Sequence, residues 1–364
     1  MGKRQKDNRI EELKAQGIRP YSISRLNTID GCLREAYYTY KKEFRGTNNI
    51  YGILGGAVHD VLEGIYNEEL GQQDLFPAVK KSLSEADMMG ISFPKSFDGS
   101  DKIKENWVAD IENFCNTFEK MEGEFATEEL FVFEMPNDRY LIGYIDLIQF
   151  IDNKNKIIEI YDFKTSSDFK KDDLKHHGRQ LVVYGMAKEQ EGYTVNKIAW
   201  IMLKYVKVSY TGYARVGSKT EKEITKIVQR NKIAKELSFA VENKMEKLGY
   251  GEIDIDIFLS KFKETNSIEV LPEEVQKQFT IEQYIRDYEY SEATKEEAMQ
   301  YVNKQIDKFE ELWDEGKEKW KPVKIDKGQS FYCNNLCSHR YECEAVKEYN
   351  LSLSLGDDEL DDLF

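Results

Sequence analysis

The sequence predicts an α/β protein with a mixed central sheet, and three observations predict it. From Leu130 onward β-branched and aromatic residues crowd into Phe131 and Phe133, Tyr140 to Phe150 and Lys156 to Phe163, with the polar turn Asp152-Asn153-Lys154-Asn155 between the last two runs. That pattern is a meander of antiparallel strands. A helical pattern then runs from Leu174 to Gln190, and Lys197 to Val208 is an apolar strand. Strand, helix and strand in this order build an α/β core.

Composition narrows the class. With 364 residues, 40% of them hydrophobic and 12% aromatic, the chain can bury a sizeable core without disulfides. No run of about eighteen apolar residues exists, and the start MGKRQKDNRIEELKAQG lacks an apolar signal core. The expectation is a cytoplasmic protein with no membrane partner, of a bacterial or phage-infected cell. Few prolines with much lysine, asparagine and tyrosine point to an AT-rich genome such as a phage's. A net charge of −15 argues against a protein that coats duplex DNA. It leaves room for an enzyme, because acids are the natural ligands of hard cations.

Ahead of the sheet the periodicity is helical. Asp7 to Gln16 forms a short helix closed by Gly17 and Pro20. Ile23, Leu26, Ile29, Leu33 and Tyr37 recur at helical spacing, which predicts a helix running through Cys32 to about Tyr40. Gly52, Gly55 and Gly56 precede a helix carrying His59 and Glu63 one turn apart. Leu75 to Met121 reads as further helix, broken near Gly90 to Gly99, with Cys115 in the core. After Val208 the pattern to Gly316 is chiefly helical and strongly charged.

The strands carry the chemistry. Asp146, between Ile145 and Leu147, and Asp162, after Ile160 and Tyr161, are acids in apolar strands. Burying them is costly unless they are paired or bind a metal. Asp162 and Lys164 share a face of their strand, and Asp146 can reach that face across the hairpin. On the following helix Gln180 and Tyr184 stand four apart on one side, after the basic approach Lys170, Lys171, Lys175, His176, His177 and Arg179. Carboxylates that hold a divalent cation, beside a lysine that stabilises developing charge, suit phosphodiester hydrolysis.

His59, Gly143-Tyr144-Ile145-Asp146, Asp162-Phe163-Lys164 and Gln180-Leu181-Val182-Val183-Tyr184, in that order, resemble the PD-(D/E)xK nuclease superfamily and its RecB-like branch. The resemblance implies a restriction-endonuclease-like core with a central mixed sheet flanked by helices. It implies Mg²⁺ or Mn²⁺ held by His59, Asp146, Asp162 and the Phe163 carbonyl. Lys164 would be the catalytic lysine, and Gln180 and Tyr184 would line the site.

Of five cysteines, Cys333, Cys337 and Cys343 crowd near the C-terminus, a spacing that suits a metal more than disulfides. With Cys32 they resemble the iron-sulfur members of this superfamily, in AddB-type and CRISPR-adaptation nucleases. That implies a [4Fe–4S] cluster, with zinc, and His339 as a substitute ligand, as the rival. The first gap in the triplet is one residue longer than the usual pattern.

The expected layout is a helical segment over 1–50 with the first cluster cysteine, a nuclease core over 51–215 and a helical region over 216–320. A cysteine-cluster module over 321–348 and a disordered acidic tail over 349–364 complete it. Asp357 to Phe364 is acidic with a terminal apolar pair, like tails that dock on replication or recombination proteins. The expected activity is an exonuclease or flap-type nuclease on DNA ends or single strands. The alternatives are a nuclease-like DNA-binding or adaptor subunit and a zinc-stabilised RNA nuclease.

Overall fold

Helical segments come first, in a computed structural model that describes residues 8–213 and 220–355. α1 (Asn8–Ala15) is followed by α2 (Ile23–Gly31), α3 (Leu33–Ala36) and a π turn at Tyr37–Lys41. The single helix expected through Cys32 is thus interrupted. Cys32 is extended (φ −156°, ψ 111°), ending one helix and opening the next. Its periodicity survives because Leu26, Ile29 and Tyr37 still face one core.

α4 (Ile50–Tyr66) begins seven residues before Ala57, where the sequence pattern placed it. Asn49 caps it by accepting from the Gly52 N–H at 3.0 Å, so the glycines lie inside the helix. Gly55 earns its place by proximity: a Cβ there would stand 3.2 Å from Thr165 Oγ1, just past the third strand. α5 (Leu75–Met88) and α6 (Lys102–Thr117) follow, with Cys115 buried in their core.

Six strands form one sheet. β1 (Glu124–Met135), β2 (Arg139–Asp152) and β3 (Ile157–Lys164) make the expected meander, and β1 starts six residues before Leu130. α7 (Leu174–Gln190) crosses to β4 (Thr194–Tyr213), which runs parallel to β3. β5 (Glu221–Gln229), α8 (Ile233–Lys247), α9 (Glu252–Thr265), α10 (Glu273–Gln276), β6 (Phe279–Tyr288), α11 (Glu292–Leu312) and α12 (Glu344–Leu355) complete the chain.

The region read as chiefly helical therefore also supplies two strands. Both pair antiparallel with β4, giving the order β1-β2-β3-β4-β5 with β6 also on β4. β5 opens on the charged run Glu221-Lys222-Glu223, and in β6 Glu282-Gln283 and Arg286-Asp287 are adjacent polar pairs, which hid their strand period. Long β4 carries β3 along Thr194 to Met202 and β5 along Tyr205 to Tyr213. The result is a mixed sheet flanked by helices, the layout of the restriction-endonuclease-like fold.

Side-chain alternation splits the core by faces. Ile158, Ile160, Ile198, Trp200 and Met202 pack toward α2, α7 and α11, whereas Tyr161, Phe163, Ala199, Ile201 and Leu203 pack toward α4, α5 and α6. A third apolar cluster joins the far half of β4 to α8 and α9. Asp162 and Lys164 keep the parity of Ile160, which directs them to the α7 side.

Candidate active site

The site forms where the β1–β2–β3 ladder gives way to side chains. Pairing of β2 with β3 stops at Leu147↔Tyr161. Beyond it the Phe163 N–H donates to Asp146 Oδ2 at 2.9 Å, so a carboxylate takes the place of a backbone carbonyl. His59 Nδ1 lies 3.4 Å from the same oxygen. α4 brings the imidazole there, and its ring meets the Phe163 ring edge-on at 5.8 Å.

Glu128 completes this group. The register Thr127↔Leu147 and Glu129↔Ile145 sets Glu128 opposite Asp146. Face alternation reverses at this point in both strands: Ile145 and Leu147, two residues apart, pack on opposite faces, as do Phe125 and Phe131, six apart, whereas regular alternation would put each pair on one face. Glu128 adopts φ +46°, a left-handed conformation that costs a β-strand residue about 1–3 kcal/mol. Ligand atoms of His59, Glu128 and Asp146 all lie within 4.8 Å of one another.

The sequence reading missed Glu128 because it began β1 at Leu130. The available signal was an acid pair, Glu128-Glu129, opening an apolar strand.

Asp162 sits beside this trio, 2% exposed, with its Oδ2 2.5 Å from Lys164 Nζ. Burial lowers the Lys164 pKa, but Asp162 and Asp146 outweigh it, so the ammonium is held above its usual range and stays charged. Burial pushes His59 down despite Asp162, which keeps the imidazole neutral and its lone pair free for a cation. Gln180 Nε2 donates to Tyr184 OH at 2.6 Å. Burial, then Asp162 and Asp146, raise the buried Tyr184 phenol well above its usual pKa, so it retains its proton.

The loop after β3 is pinned from β6. Arg286 donates to Asp168 and, at 2.8 Å, to the Phe169 carbonyl. Phe169 stacks on His177 with centroids 4.0 Å apart. Lys170, Lys171 and Lys175 are exposed around the start of α7, interleaved with exposed Asp172 and Asp173, and Lys175 pairs with Glu297 at 3.2 Å.

The predicted cysteines also converge. Cys32, Cys333, Cys337 and Cys343 line one small cavity together with Glu35, Tyr332 and His339. A π turn adjoins each side: Tyr37–Lys41 follows Cys32, and Tyr332–Leu336 contains Cys333. Such turns are rare and concentrate at functional sites.

Cross-links hold the two chain ends together. Arg34 donates to the Trp320 carbonyl at 2.8 Å and to Glu344 at 2.9 Å, and the Thr47 N–H donates to the Ser338 carbonyl at 2.8 Å. Burial, then Glu35 and the neighbouring thiols, push the Cys337 thiol up, and burial does the same at Cys32 and Cys333. Buried thiols of this kind stay protonated unless a bound cation displaces their protons. Among the described residues the cysteine sulfurs do not gather in threes within 4.8 Å.

A profile of the PD-(D/E)XK nuclease superfamily matches residues 20–344. The chain belongs to that superfamily, whose members hydrolyse nucleic-acid phosphodiesters with divalent metals. No curated protein matches it. Among the described residues no helix is long and apolar enough to cross a membrane. The acidic tail Asp357 to Phe364 lies outside the described residues.

Proposed function

We infer that the protein is a metal-dependent deoxyribonuclease, an exonuclease or flap-type enzyme acting on DNA ends or single strands in replication, recombination or repair. The observation that carries this reading is the clustering of His59, Glu128 and Asp146 donors within 4.8 Å, beside the Asp162–Lys164 pair at 2.5 Å. Two carboxylates and a neutral imidazole fit a hard divalent cation, Mg²⁺ or Mn²⁺, with Asp162 and the Phe163 carbonyl adjacent. Such an ion neutralises the scissile phosphate and acidifies a bound water.

The chain's own groups do the rest. Charged Lys164 orients the attacking water or stabilises charge growing on the phosphate. Tyr184, accepting from Gln180, offers its retained proton to a phosphate oxygen or a carboxylate. The exposed lysines at the head of α7 supply local attraction for the nucleic-acid backbone. A full set of Asp146, Asp162 and Lys164 disfavours a purely adaptor role.

The cysteine cavity supports a [4Fe–4S] cluster as a clamp between the chain ends. A single zinc with bonds of about 2.3 Å needs its sulfurs roughly 3.8 Å apart. No three of the described cysteine sulfurs lie within 4.8 Å of one another, a looser set than a single zinc takes, and this supports a polynuclear group held by Cys32, Cys333, Cys337 and Cys343.

The test uses end-labelled single- and double-stranded DNA with Mg²⁺ or Mn²⁺. Asp162→Ala and Lys164→Ala should each lower the cleavage rate by at least about 10²–10³-fold while the circular dichroism spectrum is unchanged. Cleavage at the wild-type rate in either folded variant would refute the assignment.

A further inference from the structure

We propose that His339 is a positioning residue for the cysteine-held group, donating a hydrogen bond from Nδ1 to one of its sulfur atoms. This rests on the iron-sulfur reading of the cavity. His339 lies between Cys337 and Cys343 in the chain, is 1% exposed, and lines the cavity with all four cysteines. Its Nε2 stands 2.9 Å from Thr39 Oγ1. Its Nδ1 is buried with no hydrogen-bond partner among the described residues.

A histidine that served only as core packing would satisfy both ring nitrogens or leave one in water. Here one nitrogen is satisfied and the other is withheld from water, on a residue whose ring borders a sulfur-lined space. The missing partner therefore belongs to whatever fills that space.

The chemistry of the lining selects the tautomer. Sulfur ligands accept hydrogen bonds, so a ring lone pair facing them would meet electron density, whereas an N–H would be stabilised. Thr39 can donate its hydroxyl proton to Nε2, which leaves the ring proton on Nδ1. Thr39 belongs to the π turn Tyr37–Lys41, so the irregular winding after Cys32 has a use: it sets the hydroxyl that orients the imidazole.

The ring has little freedom to do otherwise. Tyr38 packs on it at 5.5 Å between centroids, and a Cβ on Gly46 would come within 3.4 Å of its Cε1. Hydrogen bonds to cluster sulfurs tune the stability and potential of such centres. His339 would thereby connect the first cluster segment, through Thr39, to the last.

Full-length protein purified without oxygen provides the test, using iron, acid-labile sulfide and zinc content, iron–sulfur stretching bands by resonance Raman, and the rate of bleaching in air. Wild-type protein should contain iron and sulfide. His339→Leu should keep the iron but shift the stretching bands and bleach several-fold faster. His339→Gln retains an N–H donor and should lie nearer the wild type on both readouts.

Identical bands and bleaching in both iron-loaded variants would overturn the proposal. So would equal loss of iron from both, which marks a packing role. Stoichiometric zinc in the wild type would instead remove the cluster reading, and this inference with it.

Discussion

The two sites of this molecule are built in opposite ways. The metal-candidate site stands on the sheet: Asp146, Asp162, Lys164 and Glu128 project from its strands, with β1 paired to β2 on both sides of the Glu128–Asp146 position and β3 paired to β4 through Lys164. Only Glu128 departs from regular geometry there. The cysteine site has no such scaffold. Its cysteines come from a helix break, a π turn and a loop, and its walls are held by side-chain to backbone links between remote segments. A sheet-borne site is preorganised by the fold, whereas an end-to-end site depends on what it binds.

The largest expected difference follows directly. Cys333→Ala should remove the bound group, seen as loss of metal and of absorbance near about 400 nm. It should also lower the melting temperature by several degrees, because the paired segments around Cys32 lose their clamp. Lys164→Ala should leave the melting temperature nearly unchanged. Equal melting of Cys333→Ala and wild type would erase the proposed distinction.

Glu128 sharpens the comparison at intermediate size. Glu128→Gln should raise the Mg²⁺ concentration for half-maximal cleavage by about 10–100-fold, the range reported for disturbed metal surroundings. Glu128→Gly should impair cleavage similarly while leaving stability equal or higher, since glycine tolerates φ +46° without strain. A clear drop in melting temperature for Glu128→Gly would mean the strain is not stored there.

The smallest effect is a pH dependence. His177 is pushed down to about 4 from 6.5 by burial, then by His176 and Lys164, with Asp173 and Asp162 opposing. Its folded pKa is the lower one, so the unfolded chain binds the proton first as pH falls. Stability should therefore be complete above about 6.5 and decline as pH drops toward about 4. His177→Phe keeps the stack on Phe169 and should flatten that decline in thermal melts recorded across this window.

How legible each part was follows from the range of the forces involved. The β2–β3 hairpin and α7 could be read because strand alternation, a polar turn and helical spacing are local patterns. The α7 bounds came out at Leu174–Gln190, as read. β5 and β6 could not be read, because their strand character comes from pairing with β4, while β5 opens on a charged run and adjacent polar pairs interrupt the alternation of β6. The start of α4 was misplaced because its glycines look like a loop; they are tolerated where the helix passes close to Thr165.

By itself the sequence determined the α/β class, the family, and the residues that gather at the two candidate sites: His59, Asp146, Asp162, Lys164, Gln180, Tyr184 and the cysteines Cys32, Cys333, Cys337 and Cys343. Local periodicity and short motifs carry that information. Tertiary structure alone decided that Glu128 stands opposite Asp146, that Cys32 interrupts its helix, and that His339 keeps a buried, unpartnered nitrogen at the cysteine cavity. Each depends on strand register or on contact between segments remote in the chain, and register and long-range packing are settled only when the whole core forms.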